Sequence, residues 1–282
     1  MKKWKCVLAA VGLVGLLAGC GGGDGGTADS TNEASSSSAD ASKPLAGQTL
    51  KVAMSPNFVP FESAELNDKG ETEVVGFDVD LMDQLAKDMG FKYEIIETEF
   101  KGLIGELQSG RADLIISGMT ATEERAKSVD FSDPYFYTKT GVIFPKDREI
   151  KTVEDMKGKK IAVSFGTNYE KQAQSMGAEV TPFDSGAAVL QDLYNGRVDG
   201  AMMDATKAAI ESEKNPDYSY IIFSDEELGI TGDNTFNIAF QKDSELTADF
   251  NTYINQYRED GTMDDIASRW MGEKFIEENK KK

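Results

Sequence analysis

Histidine is absent from the 282 residues, and that omission alone closes off a large part of enzyme chemistry. Without an imidazole there is no Ser-His-Asp or Cys-His nucleophile, no histidine-bearing zinc site and no histidine proton shuttle. Cysteine is nearly absent too, with only Cys6 and Cys20. Thiolate metal clusters are therefore excluded, and so is any disulfide framework. No GxxxxGK[ST] or GxGxxG run offers a phosphate cradle, and no DxDxDG loop offers a calcium site. Positive charge is in deficit, with 30 Lys and Arg against 49 Asp and Glu, a formal net charge of −19. That sign argues against nucleic acid and against adhesion to anionic headgroups. The one long apolar run, residues 6–19, falls short of the roughly 20 residues that cross a bilayer.

The same run suits the apolar region of a secretory signal, because "MKKWK" in front of it is basic. Its end, "LAGC", resembles the lipobox of bacterial lipoproteins, which implies cleavage before Cys20 and lipidation of that cysteine. Cys6 would leave with residues 1–19, and losing Lys2, Lys3 and Lys5 takes the charge to about −22. Two or more acyl chains on Cys20 would anchor the protein stably where one chain is marginal. Residues 20–46 are then the lipidated cysteine and a tether rich in Gly, Ser, Ala and Asp, too polar to fold. As a random coil it would separate its ends by on the order of 25 Å. The expected location is the outer face of a bacterial cytoplasmic membrane.

From Thr49 the pattern alternates strand and helix, which implies an α/β fold with a mostly parallel sheet flanked by helices. "GFDVDLMDQLAKDMG" places Phe77, Leu81, Met82, Leu85, Ala86 and Met89 on one helical face, and Gly90 stops it. "ADLIISG" reads as a continuous buried strand, and "VEDMKG" opens a second series as a helix. The series share a likeness: "LIGELQSGRADLIISG" and "VLQDLYNGRVDGAMMD" each run helix, glycine stop, Arg-x-Asp, strand. Two similar lobes follow. Ligands of open α/β sheets gather at the carboxyl ends of strands. Those ends hold Ser117, Gly118, Met119 and Thr120 in one lobe and Met203 and Asp204 in the other. Facing edges of that kind, with Arg125 nearby, would grip a zwitterion, and free α-amino acids fit.

The segments "FVPFE", "VGFDVDLMDQLAKDMG", "FKGLIGELQSGRADLIISGMTATEERAKSVDFSDPY", "VEDMKGKKIAVSFGTNYE", "NGRVDGAMMD" and "YREDGTMDDIASRWMGE" carry a family resemblance. The chain from about Gly47 onward resembles the extracytoplasmic amino-acid-binding proteins of ABC importers, the polar amino-acid group of the two-lobed periplasmic-type (type II) binding fold. The resemblance implies that Arg125 holds the ligand α-carboxylate, assisted by Thr120 and the main chain at Ser117 and Gly118. It implies that Asp204 holds the α-ammonium and that Phe58 and Phe100 enclose the side chain. Plain alternatives stand beside these roles: a surface arginine, an N-cap for the next helix, and core packing. Thr167 and Asn168 begin a helix after Gly166, where backbone N–H groups attract anions or are simply capped. Relatives often carry a hydroxyl where Asn168 stands, which puts a side-chain contact there in doubt.

Ser55 stands where many relatives carry an acidic residue, and Met203 offers only a polarizable apolar surface. Lysine, arginine and ornithine are therefore not expected as preferred ligands, and a neutral polar or sulfur-containing side chain is. The implied partners are a free amino acid, a permease and its ATPase; no cofactor, metal or nucleic acid is expected, and the protein is expected to be a monomer. Lobe one would comprise 47–137 and 235–282, lobe two 142–228, with hinge crossings at 138–141 and 229–234. The rival readings are a same-fold secreted enzyme of the cyclohexadienyl dehydratase type and a ligand sensor for a membrane receptor. Arg125→Ala and Asp204→Ala are each expected to abolish binding and to leave thermal melting little changed.

Overall fold

The structure, a computed structural model, describes residues 42–230 and 234–272. The signal segment, Cys20 and the tether up to residue 41 lie outside the described residues, as do positions 231–233 of the second expected crossing.

The first lobe opens with β1 (Thr49–Met54), a meander of β2 (Asn57–Phe58), β3 (Glu62–Leu66) and β4 (Thr72–Val75), then α1 (Phe77–Met89) and β5 (Lys92–Glu97). It continues through α2 (Leu103–Gln108), β6 (Leu114–Ile115), α3 (Glu123–Ala126), β7 (Val129–Phe131) and β8 (Phe136–Tyr137). The second lobe contains β9 (Thr140–Pro145), β10 (Lys160–Ser164), α4 (Asn168–Ser175), β11 (Glu179–Phe183), α5 (Gly186–Tyr194), β12 (Gly200–Asp204), α6 (Ala205–Lys214) and β13 (Tyr218–Phe223). The chain then returns through β14 (Thr235–Phe236) and β15 (Ala239–Gln241) to α7 (Leu246–Asp260) and α8 (Thr262–Met271).

The two main sheets have one plan. Their orders are β5-β1-β6-β15-β7 and β11-β10-β12-β9-β13. In each, the fourth strand arrives from a crossing between lobes and runs antiparallel to both neighbours, while the other strands point one way. The crossings meet in a short ladder pairing Phe136 with Phe236 and Tyr137 with Thr235. Thr140 and Gly141 already belong to β9 rather than to a crossing.

The Arg-x-Asp likeness has a structural cause. Asp113 and Asp199 each bond the backbone of the neighbouring first strand twice, through their own N–H and through a carboxylate oxygen that accepts from Lys51 N at 2.7 Å or Lys160 N at 2.9 Å. Before each aspartate, a left-handed glycine, Gly110 or Gly196, ends the helix, and Arg111 or Arg197 folds back onto Glu106 or Asp192. One supersecondary unit is thus used twice to set the third strand of each sheet.

Packing follows the periodicity. Phe77, Leu81, Met82, Leu85 and Met89 are fully buried along α1 against β1 and β6, and Gly90 closes the helix in the left-handed region at φ 84°. Gly76 is required before it, since a Cβ there would lie 2.1 Å from the Phe61 carbonyl oxygen. Two expectations change. "ADLIISG" contributes only Leu114 and Ile115 to the ladder, because the chain turns away to bring Gly118 over α1. "VEDMKG" forms only a 3-10 turn, Glu154–Met156, with Met156 tucked into the second core.

Candidate functional site

At the carboxyl end of β6, Gly118 adopts φ 54° and its N–H is shared between the Asp78 carboxylate (3.0 Å) and the Tyr135 hydroxyl (3.1 Å). A Cβ at Gly118 would stand 2.5 Å from Phe58 Cε1, so glycine is needed for the ring to pack here. Phe58 stacks on Phe61 with centroids 4.8 Å apart. Ser117 lies beneath: its hydroxyl accepts from Ser55 N at 3.1 Å and donates to Glu62. Ser55 and Glu62 are both buried.

A cavity opens between the lobes. Ser55, Asn57, Phe58, Glu62, Phe100 and Gly118 line it from one side, and Thr167, Asn168, Tyr169, Met203 and Lys207 face them from the other. A more open groove adjoins it, bordered by Thr122 and Arg125 across from Gly166. Thr167 and Asn168 border both spaces, so the two adjoin.

Arg125 sits in α3, a short helix whose N-cap Thr122 accepts from Arg125 N. Its guanidinium donates to Thr120 O at 2.8 Å and, across the cleft, to Gly166 O at 3.0 Å, and it lies 5.3 Å from the Phe100 ring centroid. Burial lowers its pKa to about 10, which leaves it charged at neutral pH. Asp204, at the end of β12, is fully buried. One of its oxygens caps α6, accepting from Thr206 N (2.8 Å) and Lys207 N (3.2 Å), and the other accepts from Thr138. Desolvation pushes its pKa up, and these donors pull it back.

Neither Arg125 nor Asp204 lines the inner cavity; Arg125 stands in the outer groove and Asp204 behind the wall. Tyr169 lines the cavity, and its buried phenol feels both charges. Ser117 and Thr120 support the floor and the arginine rather than the wall. Thr167 occupies the N-cap position of α4 without a side-chain cap, its hydroxyl donating instead to Ser164 O at 2.7 Å.

Sequence reasoning missed Asn57, Glu62, Tyr169 and Lys207. Lys207 Nζ donates to Asn57 O at 3.0 Å and lies 5.5 Å from the Phe58 ring centroid, while Gly186 N donates to Asn57 Oδ1 at 3.1 Å. Together with Lys101–Asp184 at 2.5 Å and the exposed Lys171–Glu124 pair, these contacts span the cleft. Among the described residues, no group of three or more Cys, Asp or Glu side chains is placed to hold a metal ion.

Residues 50–273 match the bacterial extracellular solute-binding proteins, family 3. The chain belongs to that family. The arginine-binding extracellular protein ArtP of Bacillus subtilis (strain 168) is 31% identical over 279 residues, covering 97% of this chain and all of ArtP. The L-cystine-binding protein TcyJ of Escherichia coli (strain K12) is 32% identical over 233 residues, covering 79% of this chain and 83% of TcyJ. A crystal structure of the substrate-binding protein of an amino acid ABC transporter superposes with a TM-score of 0.73 at 34% identity, covering 79% of this chain and 98% of that one. The fold is therefore the type II periplasmic-binding-protein fold, and these relatives of the family 3 chain are binding proteins rather than enzymes.

Proposed function

We propose that this solute-binding protein captures a free L-amino acid between its lobes and hands it to an ABC permease and its ATPase by lobe closure, without covalent chemistry. The observation that carries the reading is the shared cavity, walled by one lobe's Phe58, Phe100 and Gly118 and the other's Tyr169 and Met203, with Arg125 in the adjoining groove and Asp204 directly after Met203. The names of the relatives supply the solute class.

A ligand carboxylate entering beside Asn168 would replace the Gly166 carbonyl as partner of Arg125, exchanging a neutral acceptor for a charged, bidentate one. Asp204 already meets the Thr138 and Thr206 hydroxyls and two helix N–H groups, so a ligand ammonium would bind it by displacing one of the two hydroxyls. Each charged hydrogen bond contributes about 1.5–3 kcal/mol, so two clamps and an aromatic enclosure reach the roughly 8 kcal/mol of a micromolar complex. Because the clamps stand on separate lobes, the ligand favours the closed arrangement, and the β8–β14 ladder marks the hinge. Lobe one is assigned to 47–137 and 235–282 and lobe two to 140–228, which takes in the whole of β9. A lipidated Cys20 would keep this body at the membrane face, where the permease is.

A neutral polar or sulfur-containing side chain is favoured over arginine and lysine, since Ser55 supplies no charge and Met203 forms part of the wall. Calorimetric titration with the standard amino acids and cystine tests both the class and the preference. Tight arginine binding with none for glutamine or cystine contradicts the preference. Recovery of the bound amino acid chemically unchanged after hours of incubation separates binding from a dehydratase.

A further inference from the structure

Asp78, on the first turn of α1, and Glu62, at the start of β3, are both completely buried and within hydrogen-bonding reach of each other. Their donors are unequally shared. Asp78 Oδ2 accepts from Gly118 N and Tyr135 Oη, while Glu62 Oε1 accepts from Ser117 Oγ. The remaining oxygens, Glu62 Oε2 and Asp78 Oδ1, are buried with no other donor. Two unpartnered carboxyl oxygens in one apolar pocket cost several kcal/mol, and a single proton between them satisfies both. Two adjacent carboxyls behave this way elsewhere, because like charges in contact cannot both ionise.

From α6, Lys207, only 5% exposed, lines the same cavity as Glu62. Its one side-chain hydrogen bond goes to Asn57 O, whereas an ammonium carries three donors. The other charges near it have partners of their own, and Asp184, which also lines the cavity, pairs with Lys101. Glu211 pairs with Lys214 at 3.1 Å and accepts from the Tyr194 hydroxyl, and Asp204 is held by its helix amides and Thr138. Tyr135 and Ser117 are the remaining polar groups against the carboxyls, and both are neutral.

Resting on the amino-acid-binding reading, we propose that Lys207, Glu62 and Asp78 form a charge-balanced cluster with one shared proton at the cavity floor. It restricts the ligand to a neutral side chain bearing a hydrogen-bond acceptor. One ammonium and one carboxylate sum to zero. A cationic or anionic side chain would add an uncompensated charge where burial makes it costly, while a carboxamide can accept from Lys207. The titration behaviour agrees in direction: burial and the neighbouring Asp78 raise Glu62, burial raises Asp78, and burial lowers Lys207 to about 8, still mostly protonated at neutral pH.

The test compares glutamine, glutamate and arginine by calorimetry at neutral pH in the wild type, Lys207→Met and Glu62→Gln. Glutamine is expected to bind at least about tenfold tighter than either charged ligand, and Lys207→Met to narrow its lead over arginine by about tenfold. Glu62→Gln leaves Asp78 as the single carboxylate, so the glutamine lead over arginine should persist even where affinity falls, and its loss overturns the charge balance. Arginine or glutamate binding as tightly as glutamine overturns the ligand class, as does an unchanged glutamine lead in Lys207→Met. Infrared difference spectroscopy decides the proton without any ligand: a protonated-carboxyl band in the wild type should vanish in Glu62→Gln, and its absence from the wild type overturns the cluster. Failure of every amino acid to bind would instead overturn the binding reading and the ligand class with it, leaving the infrared result to judge the shared proton.

Discussion

Replacing Asp204 by alanine and by asparagine separates two jobs that this one carboxylate performs. Alanine removes the cap of α6, a loss of about 1 kcal/mol, and leaves the Thr138 hydroxyl only its longer contact with Lys139 O at 3.3 Å, a further 1–2 kcal/mol or so. For a body of this size about 2–3 kcal/mol lowers the melting temperature by roughly 4–12 °C. The expectation from sequence, that melting would barely change, is therefore revised by the cap. Asparagine caps about as well as aspartate through its one oxygen, and its amide nitrogen, standing where Oδ2 faced Thr138, can donate to that hydroxyl, so its melting should stay within a few degrees of wild type. Its charge is gone, however, and losing a charged hydrogen bond of about 1.5–3 kcal/mol should weaken amino-acid binding roughly 10- to 150-fold. Differential scanning fluorimetry and calorimetry on the two variants read the jobs independently. Wild-type affinity in Asp204→Asn would refute the ammonium clamp, and wild-type melting in Asp204→Ala would refute the cap.

Arg125→Lys should weaken binding by about 10- to 100-fold although charge is kept, because a lysine ammonium cannot present two parallel donors; titration showing an unchanged Kd rules out a bidentate carboxylate contact. Gly118→Ala forces a left-handed alanine and pushes Phe58 off its stack, costing about 1–3 kcal/mol in chemical denaturation and weakening ligand binding; unaltered unfolding contradicts the close approach. Glu62 has a pKa raised above the ordinary 4.5, so the stability it contributes is complete below that value and is lost as pH rises through the raised one. Melting of the wild type should fall through this contribution as pH rises above the ordinary 4.5 and Glu62→Gln should flatten the fall, whereas parallel curves for the two proteins would show that folding does not raise the Glu62 pKa.

Local signals carried the fold. The helical face of α1 and its glycine stop are written in consecutive residues, and the paired Arg-x-Asp units are visible because each satisfies a neighbouring strand through a short, repeated device. The meander of β2, β3 and β4 was not legible, since Asn57–Phe58 is two residues long and Glu62–Leu66 is mostly polar. The antiparallel fourth strand of each sheet escaped for a different reason: its place depends on chain crossings, which no local pattern encodes. Gly118, Thr167, Asn168 and Met203 could be found at strand and helix ends, Phe58 and Phe100 only through the family resemblance, and all border the cavity. Lys207 and Glu62 could not. Lys207 reads as one more helix lysine until its contact with Asn57, 150 positions away, is seen. Glu62 reads as a strand-edge acid until Ser117 and Asp78 close over it.

Native mass spectrometry of the purified protein, followed by mild unfolding and analysis of what is released, tests the central claim most directly. A mass increment matching one free amino acid with a neutral side chain, lost in Arg125→Lys and in Asp204→Asn, is the predicted result. A protein that carries no such increment, and that gives no calorimetric response to any standard amino acid or to cystine, would contradict it.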